Sequence, residues 1–116
     1  MEGVKMNGQE LFNERERIKS SLSASITRFY DNGIDWAEKR RKYMILRAET
    51  ELKLKDSGTQ ITIIKDLAKG DKKVAQAEFD MNVAEITFRA SDQNIMAQKK
   101  LLESVEADIK REYYKE

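Results

Sequence analysis

Residues 71–114 read DKKVAQAEFDMNVAEITFRASDQNIMAQKKLLESVEADIKREYY and carry the most regular apolar pattern of the chain. One set of positions in it is separated by alternating steps of three and four residues: Val74, Ala77, Met81, Ala84, Phe88, Ser91, Ile95, Gln98, Leu102, Val105 and Ile109. This spacing is the heptad seam of a left-handed coiled coil or helical bundle. We therefore predict one long helix that Asp71 caps and that runs to Tyr114.

The same stretch carries a second apolar row on an adjacent flank: Phe79, Val83, Ile86, Ala90, Ala97 and Leu101. A helix with two apolar rows needs two neighbours, and a helix of this length spans on the order of 65 Å. We therefore expect the chain to form a homo-oligomer. The predicted oligomer interface uses six seam residues: Met81, Phe88, Ile95, Leu102, Val105 and Ile109.

Residues 91–94 interrupt the seam with four polar side chains in succession. Either a buried polar residue specifies the helix register there, or the helix bends or breaks and Ser91 or Asp92 caps its second half. Both alternatives stay open, and continuity is favoured because nothing in the stretch compels a stop.

The remainder of the chain predicts a flexible N-terminus, residues 1–8, and a single helical domain, residues 9–116. A first helix begins at Gln9. Its apolar face consists of Leu11, Ile18, Leu22, Ile26 and Phe29. We predict that it ends at Asp31-Asn32-Gly33, because glycine readily adopts the left-handed conformation that follows a helix.

A second helix is predicted to begin at Asp35, which forms a capping-box pattern with Glu38, and to end at Asp56-Ser57-Gly58. Its predicted apolar stripe is Ala37, Met44, Ile45, Ala48 and Leu52, with Arg41 in the same row. A short helix with Ile61, Ile64, Leu67 and Ala68 follows and ends at Gly70. The predicted fold is therefore all-α: a helical hairpin, a short helix and one long C-terminal helix in a coiled-coil-like, oligomeric bundle.

Composition argues against catalysis. The 116 residues include 37% charged residues but no histidine, no cysteine and no proline. The commonest general base, thiol nucleophiles and the usual zinc ligands are therefore missing. We expect no enzyme, no cofactor and no metal site. The net charge is +1, no apolar run is long enough for a membrane span, and no signal peptide is recognisable, so we expect no membrane partner and a cytoplasmic protein.

A basic run at residues 39–42 offers a nucleic-acid surface, because cations bind phosphates and neighbouring aromatic rings can stack on unpaired bases. The candidate nucleic-acid-binding residues are Trp36, Lys39, Arg40, Arg41, Lys42, Tyr43 and Arg47. The alternative is a solvated helix face with Trp36 in the core. A second basic group, Lys69, Lys72 and Lys73, flanks the predicted Asp71 cap.

Residues 58–75, GTQITIIKDLAKGDKKVA, resemble the connector of a group of short helical proteins of tailed bacteriophages and prophages. In that group a Trp-Ala-Glu helix precedes the connector, here residues 36–38, and a tail like Lys110-Arg111-Glu112-Tyr113 follows. The layout is more distantly similar to the UvsY-type recombination mediator of T-even phages, which oligomerises, binds single-stranded DNA and helps load a recombinase. Unlike that family, residues 71–116 here are net acidic.

The resemblance implies an oligomeric accessory protein for phage DNA recombination or replication that binds single-stranded DNA or a recombinase. Two other classes stay open. One is a protein-binding adaptor or inhibitor of a host enzyme, which would use the exposed apolar row for helix-in-groove docking. The other is a structural coiled-coil protein of phage assembly.

Overall fold

A computed structural model describes residues 7–114 of the chain. These residues form three helices: α1 at Gly8–Asp56, α2 at Ile61–Gly70 and α3 at Lys72–Tyr114. The predicted all-α class, the short helix and the long C-terminal helix are confirmed. Residues 1–6 of the predicted flexible N-terminus lie outside the described residues, whereas Gly8 is already helical.

Helix α1 begins with a capping box that was not predicted. The backbone N–H of Glu10 donates to the Asn7 side-chain oxygen at 2.9 Å, and the Asn7 backbone N–H donates to the Glu10 carboxylate at 3.2 Å. These reciprocal bonds satisfy donors that a helix N-terminus otherwise leaves unpaired. The helix therefore starts one residue earlier than Gln9.

The predicted break at Asp31-Asn32-Gly33 is wrong, because α1 passes through it as one continuous helix. Gly33 does not adopt the left-handed conformation; among the described residues only Gly58 has a positive φ. Asp35 is consequently not a cap. It lies inside the helix, where its carboxylate is 2.6 Å from the ammonium of Lys39.

A covered seam explains the continuity of α1. Steps of four and three alternate without a phase change through a set of residues that are all buried or half-buried: Leu11, Arg15, Ile18, Leu22, Ser25, Phe29, Asn32, Trp36, Lys39, Tyr43, Leu46 and Thr50. Many of these side chains are polar or charged, so an apolar count along the sequence does not reveal the seam. Packing against α3 keeps the Asp-Asn-Gly step helical despite its poor propensity.

The predicted stripe of the second helix faces outward. All five of its residues are exposed: Ala37, Met44, Ile45, Ala48 and Leu52. The inward side is occupied instead by Tyr43, which packs with Val74 and Ala77 of α3. Two partly buried side chains, Leu46 and Met81, complete this core cluster.

The turn after α1 is as predicted. Gly58 has a φ of 86°, and its N–H bonds the carbonyl of Lys55 at 3.1 Å. The N–H of Thr59 bonds the carbonyl of Leu54, also at 3.1 Å, which completes a Schellman motif. Helix α2 ends at Gly70 as predicted, but only Ile64 and Ala68 of its four predicted apolar residues are buried.

Asp71 caps α3, as predicted. Its Oδ1 accepts the backbone N–H groups of Lys73 at 2.9 Å and Val74 at 3.2 Å. No break occurs at residues 91–94, and every predicted seam position of α3 is buried or half-buried. The second row of α3 is exposed throughout.

The chain divides into two compact units, Met1–Phe29 with Ala90–Glu116 (unit 1) and Tyr30–Arg89 (unit 2). In unit 1 the helices run antiparallel, because Phe12 packs on Tyr113 at 5.2 Å between ring centroids while Ser25 contacts Asn94 and Gln98. In unit 2, α1 and α3 also run antiparallel, because Trp36 packs on Phe88 and Tyr43 packs on Val74, and α2 belongs to the same unit. That residues 9–116 act as a single domain stays a prediction.

Candidate functional site

The basic run at residues 39–42 lies on α1 in unit 2, and its members have different surroundings. Lys39 is on the seam, and its hydrogen bond to the Asp35 carboxylate raises the pKa of Lys39. Arg40, Arg41 and Lys42 are exposed. Consecutive helical residues point about 100° apart, so these three cations cover a broad arc rather than a single line.

Arg47 is engaged within its own helix. Its Nε is 3.1 Å from the Glu51 carboxylate, and its Nη1 donates to the Tyr43 hydroxyl at 3.4 Å. These hydrogen bonds, led by the one to Glu51, raise the pKa of Arg47. The side chain is half-buried, so any phosphate contact would compete with Glu51.

The aromatic part of the predicted nucleic-acid site does not form a stacking surface. Tyr43 is only 7% exposed and belongs to the core cluster, so its prediction as a base-stacking residue is wrong. Trp36 is half-buried and stacks on Phe88, with 5.4 Å between ring centroids and 26° between the planes. The alternative prediction, a packed tryptophan, describes Trp36 better.

The structure instead brings together two basic groups that are far apart in sequence. Lys42 of α1 and both Lys72 and Lys73 of α3 line one shallow groove, whose wall also includes Leu46 and Ala77. Asp80 is the acidic member of this lining. The grouping depends on the register between α1 and α3, which no local signal in the sequence provides.

Two exposed apolar rows are the other conspicuous surface of unit 2. The α1 outer row consists of Ile34, Met44, Ile45 and Leu52, which are 59%, 57%, 47% and 59% exposed. The α3 outer row consists of Phe79, Val83 and Ile86, which are 62%, 45% and 67% exposed. At about 100° per residue, each row lies on the side of its helix opposite the seam. The prediction that the second row of α3 lies on a flank adjacent to the seam is therefore wrong.

The six residues predicted for the oligomer interface are largely used within the chain. Ile95 is buried, and the other five are half-buried: Met81, Phe88, Leu102, Val105 and Ile109. Little of their surface is left for another copy. Their role between copies stays a prediction, while the outer rows offer more accessible apolar surface.

Over residues 7–114, no three carboxylates come together in a way that could hold a metal ion. In the same part of the chain, no helix has the length and apolarity required to cross a bilayer.

When the chain is compared with known proteins, no family model, no curated protein and no solved structure matches it. The resemblance to phage helical proteins stays a prediction from the motifs at residues 36–38, 58–75 and 110–113.

Proposed function

We propose that this protein is an oligomeric accessory protein of phage DNA recombination or replication, which works in the host cytoplasm by association rather than by catalysis. The observation that supports this best is the pair of exposed outer rows on α1 and α3. Large apolar side chains clustered on one face usually mark a surface that a partner covers.

The exposed cations supply the proposed contact with single-stranded DNA. Arg40, Arg41 and Lys42 project from α1, and Lys72 and Lys73 share the groove with Lys42. Because Trp36 and Tyr43 are packed inside, we propose contacts to phosphates rather than to bases, without sequence preference. An oligomer would present several such patches at once and strengthen modest individual contacts.

A salt titration of single-stranded DNA affinity tests the DNA contact. We expect affinity to fall steeply with salt, with a log–log slope of about −0.7 for each phosphate contacted. The Arg40→Glu/Arg41→Glu variant should bind at least tenfold more weakly and with a shallower slope.

The matched control is Lys99→Glu/Lys100→Glu, which changes the charge equally at two exposed lysines of unit 1. It should stay within a few-fold of the wild type. If the Arg40/Arg41 variant binds as well as the wild type, the assignment of the basic surface is wrong.

The outer rows also favour a second candidate, a protein-binding adaptor or inhibitor of a host enzyme, because an apolar helix face suits docking in a groove. Salt-insensitive binding of one defined host protein, lost in Ile45→Glu, would favour it over the DNA role. A third candidate, a structural coiled-coil protein of phage assembly, would be indicated by abundance in purified particles.

A further inference from the structure

The outer rows of unit 2 lie on two different helices, and the charges around them differ in sign. Residues 34–52 of α1, which span its outer row, carry five cations and four carboxylates. Lys39 pairs with Asp35 and Arg47 with Glu51, which leaves three cations, Arg40, Arg41 and Lys42, against two carboxylates, Glu38 and Glu49. Residues 74–89 of α3 carry three carboxylates and one cation. The single cation, Arg89, is paired with Glu85 at 2.9 Å, so the balance around the α3 row is acidic.

We infer that copies of this chain associate head-to-tail, with the α1 outer row of one copy packed against the α3 outer row of the next. This arrangement rests on the proposed oligomerisation and specifies its partner and surfaces. It covers Met44, Ile45 and Leu52 with Phe79, Val83 and Ile86, so that the exposed apolar side chains on both helices leave water.

Charge decides between this arrangement and pairing of identical faces. An α1-to-α1 contact would place Arg40, Arg41 and Lys42 of two copies near each other, and an α3-to-α3 contact would bring Glu78 and Asp80 together. Like charges at an interface cost free energy and suppress the wrong pairing. The α1-to-α3 contact instead juxtaposes opposite charges at its rim.

Such an interface joins two different surfaces. An open assembly of any number of copies therefore leaves one α1 outer row uncovered at one end and one α3 outer row uncovered at the other. Assemblies of this kind close into a ring when the rotation allows it and otherwise extend as a filament. In either case the groove lysines Lys42, Lys72 and Lys73 of each copy would repeat at a regular spacing along the assembly.

A complementation experiment tests the pairing. Ile45→Glu disables the α1 outer row and leaves the α3 row intact, and Ile86→Glu does the reverse. Each variant alone should self-associate at least tenfold more weakly than the wild type in sedimentation velocity. Mixed in equal amounts they should form a 1:1 dimer, twice the 13.5 kDa of one chain, and nothing larger.

The other outcomes overturn the arrangement. Dimers of Ile86→Glu alone would indicate α1-to-α1 pairing, dimers of Ile45→Glu alone would indicate α3-to-α3 pairing, and a monomeric mixture would exclude the proposed contact. Circular dichroism checks that each variant is helical, and Met44→Glu or Val83→Glu replaces one that is not. A monomeric wild type would refute the proposed oligomer as well, whereas an oligomeric wild type with failed complementation would refute only this arrangement.

Discussion

Gly33 allows two helices of unit 2 to come close. A Cβ added at this position would lie 2.9 Å from Cε1 of Phe88, closer than carbon atoms normally approach. The Phe88 ring cannot easily retreat, because Trp36 stacks on it. The missing side chain of Gly33 therefore leaves room for the Phe88 ring against the middle of α1. Gly33 does not end a helix, contrary to what the sequence predicted.

Replacing Gly33 with alanine overpacks the core, which costs about 1–3 kcal/mol. The better helix propensity of alanine offsets about 1 kcal/mol of this cost. We therefore expect the free energy of unfolding to fall by up to about 2 kcal/mol. Urea unfolding measures the change. Gly70→Ala is the control because a Cβ there meets nothing within 4 Å, and it should be neutral or stabilising. A stabilised Gly33→Ala variant would contradict the packing role.

Ser25 forms a polar layer in unit 1. It is only 1% exposed, and its hydroxyl oxygen lies within hydrogen-bond distance of three side-chain nitrogens, those of Asn94 at 3.0 Å, Gln98 at 2.9 Å and Arg28 at 3.0 Å. Because a hydroxyl oxygen has two lone pairs, it accepts two of these hydrogen bonds at a time. Such a layer fixes how α1 and α3 align, because sliding either helix would leave these groups unpaired.

We expect Ser25→Ala to destabilise the protein by about 1–2 kcal/mol, because it removes the acceptor of several hydrogen bonds. Thermal or urea unfolding provides the measurement. Ser20→Ala, at an exposed position of the same helix, should change stability by no more than about 0.5 kcal/mol. Equal effects of the two substitutions would show that the layer contributes nothing.

At the scale of elements, sequence predicted α3 better than α1, for a physical reason. The seam of α3 is mostly apolar, so its period of three and four is visible in the residue types. The seam of α1 includes Arg15, Asn32, Lys39 and Thr50, and these hide the same period. The helix end was therefore predicted from Gly33 alone, although the seam continues past Gly33 with the same alternation of four- and three-residue steps.

Helix ends were predictable where the interactions are local. Gly58 and Asp71 act through neighbours within five residues, so their roles follow from the sequence. Burial of Tyr43 was not predictable in this way, because it depends on Val74 and Ala77, about thirty residues further on. The basic groove was missed for the same reason.

Asp71 alone separates α2 from α3, so its cap should matter for both. Asp71→Ala should lower the free energy of unfolding by about 0.5–2 kcal/mol, because two backbone N–H groups lose their acceptor. Chemical denaturation of the variant measures this loss. The control is Asp66→Ala, at an exposed position inside α2, which should lower the free energy of unfolding less. If the two variants lose the same amount of stability, Asp71 has no capping role.

At the scale of the molecule, the outer rows link stability to concentration. If copies cover each other's rows, unfolding includes dissociation, and the melting temperature rises with protein concentration. We expect the melting temperature to rise by several degrees over a hundredfold range of protein concentration, because each tenfold change in concentration changes the free energy of association by about 1.4 kcal/mol. Calorimetry of the wild type, with Ile45→Glu as a concentration-independent control, measures it. A constant melting temperature for both would argue against assembly.

The contacts of this protein join residues at very different distances along the chain. Tyr43 and Val74 are brought together by a short connection, whereas Phe12 and Tyr113 are separated by almost the whole polypeptide. Closing a longer loop costs more entropy, and distant contacts slow folding. Folding that starts near the Gly58 turn and proceeds towards both chain ends avoids that cost, so the Phe12–Tyr113 contact should form late and be the first to open.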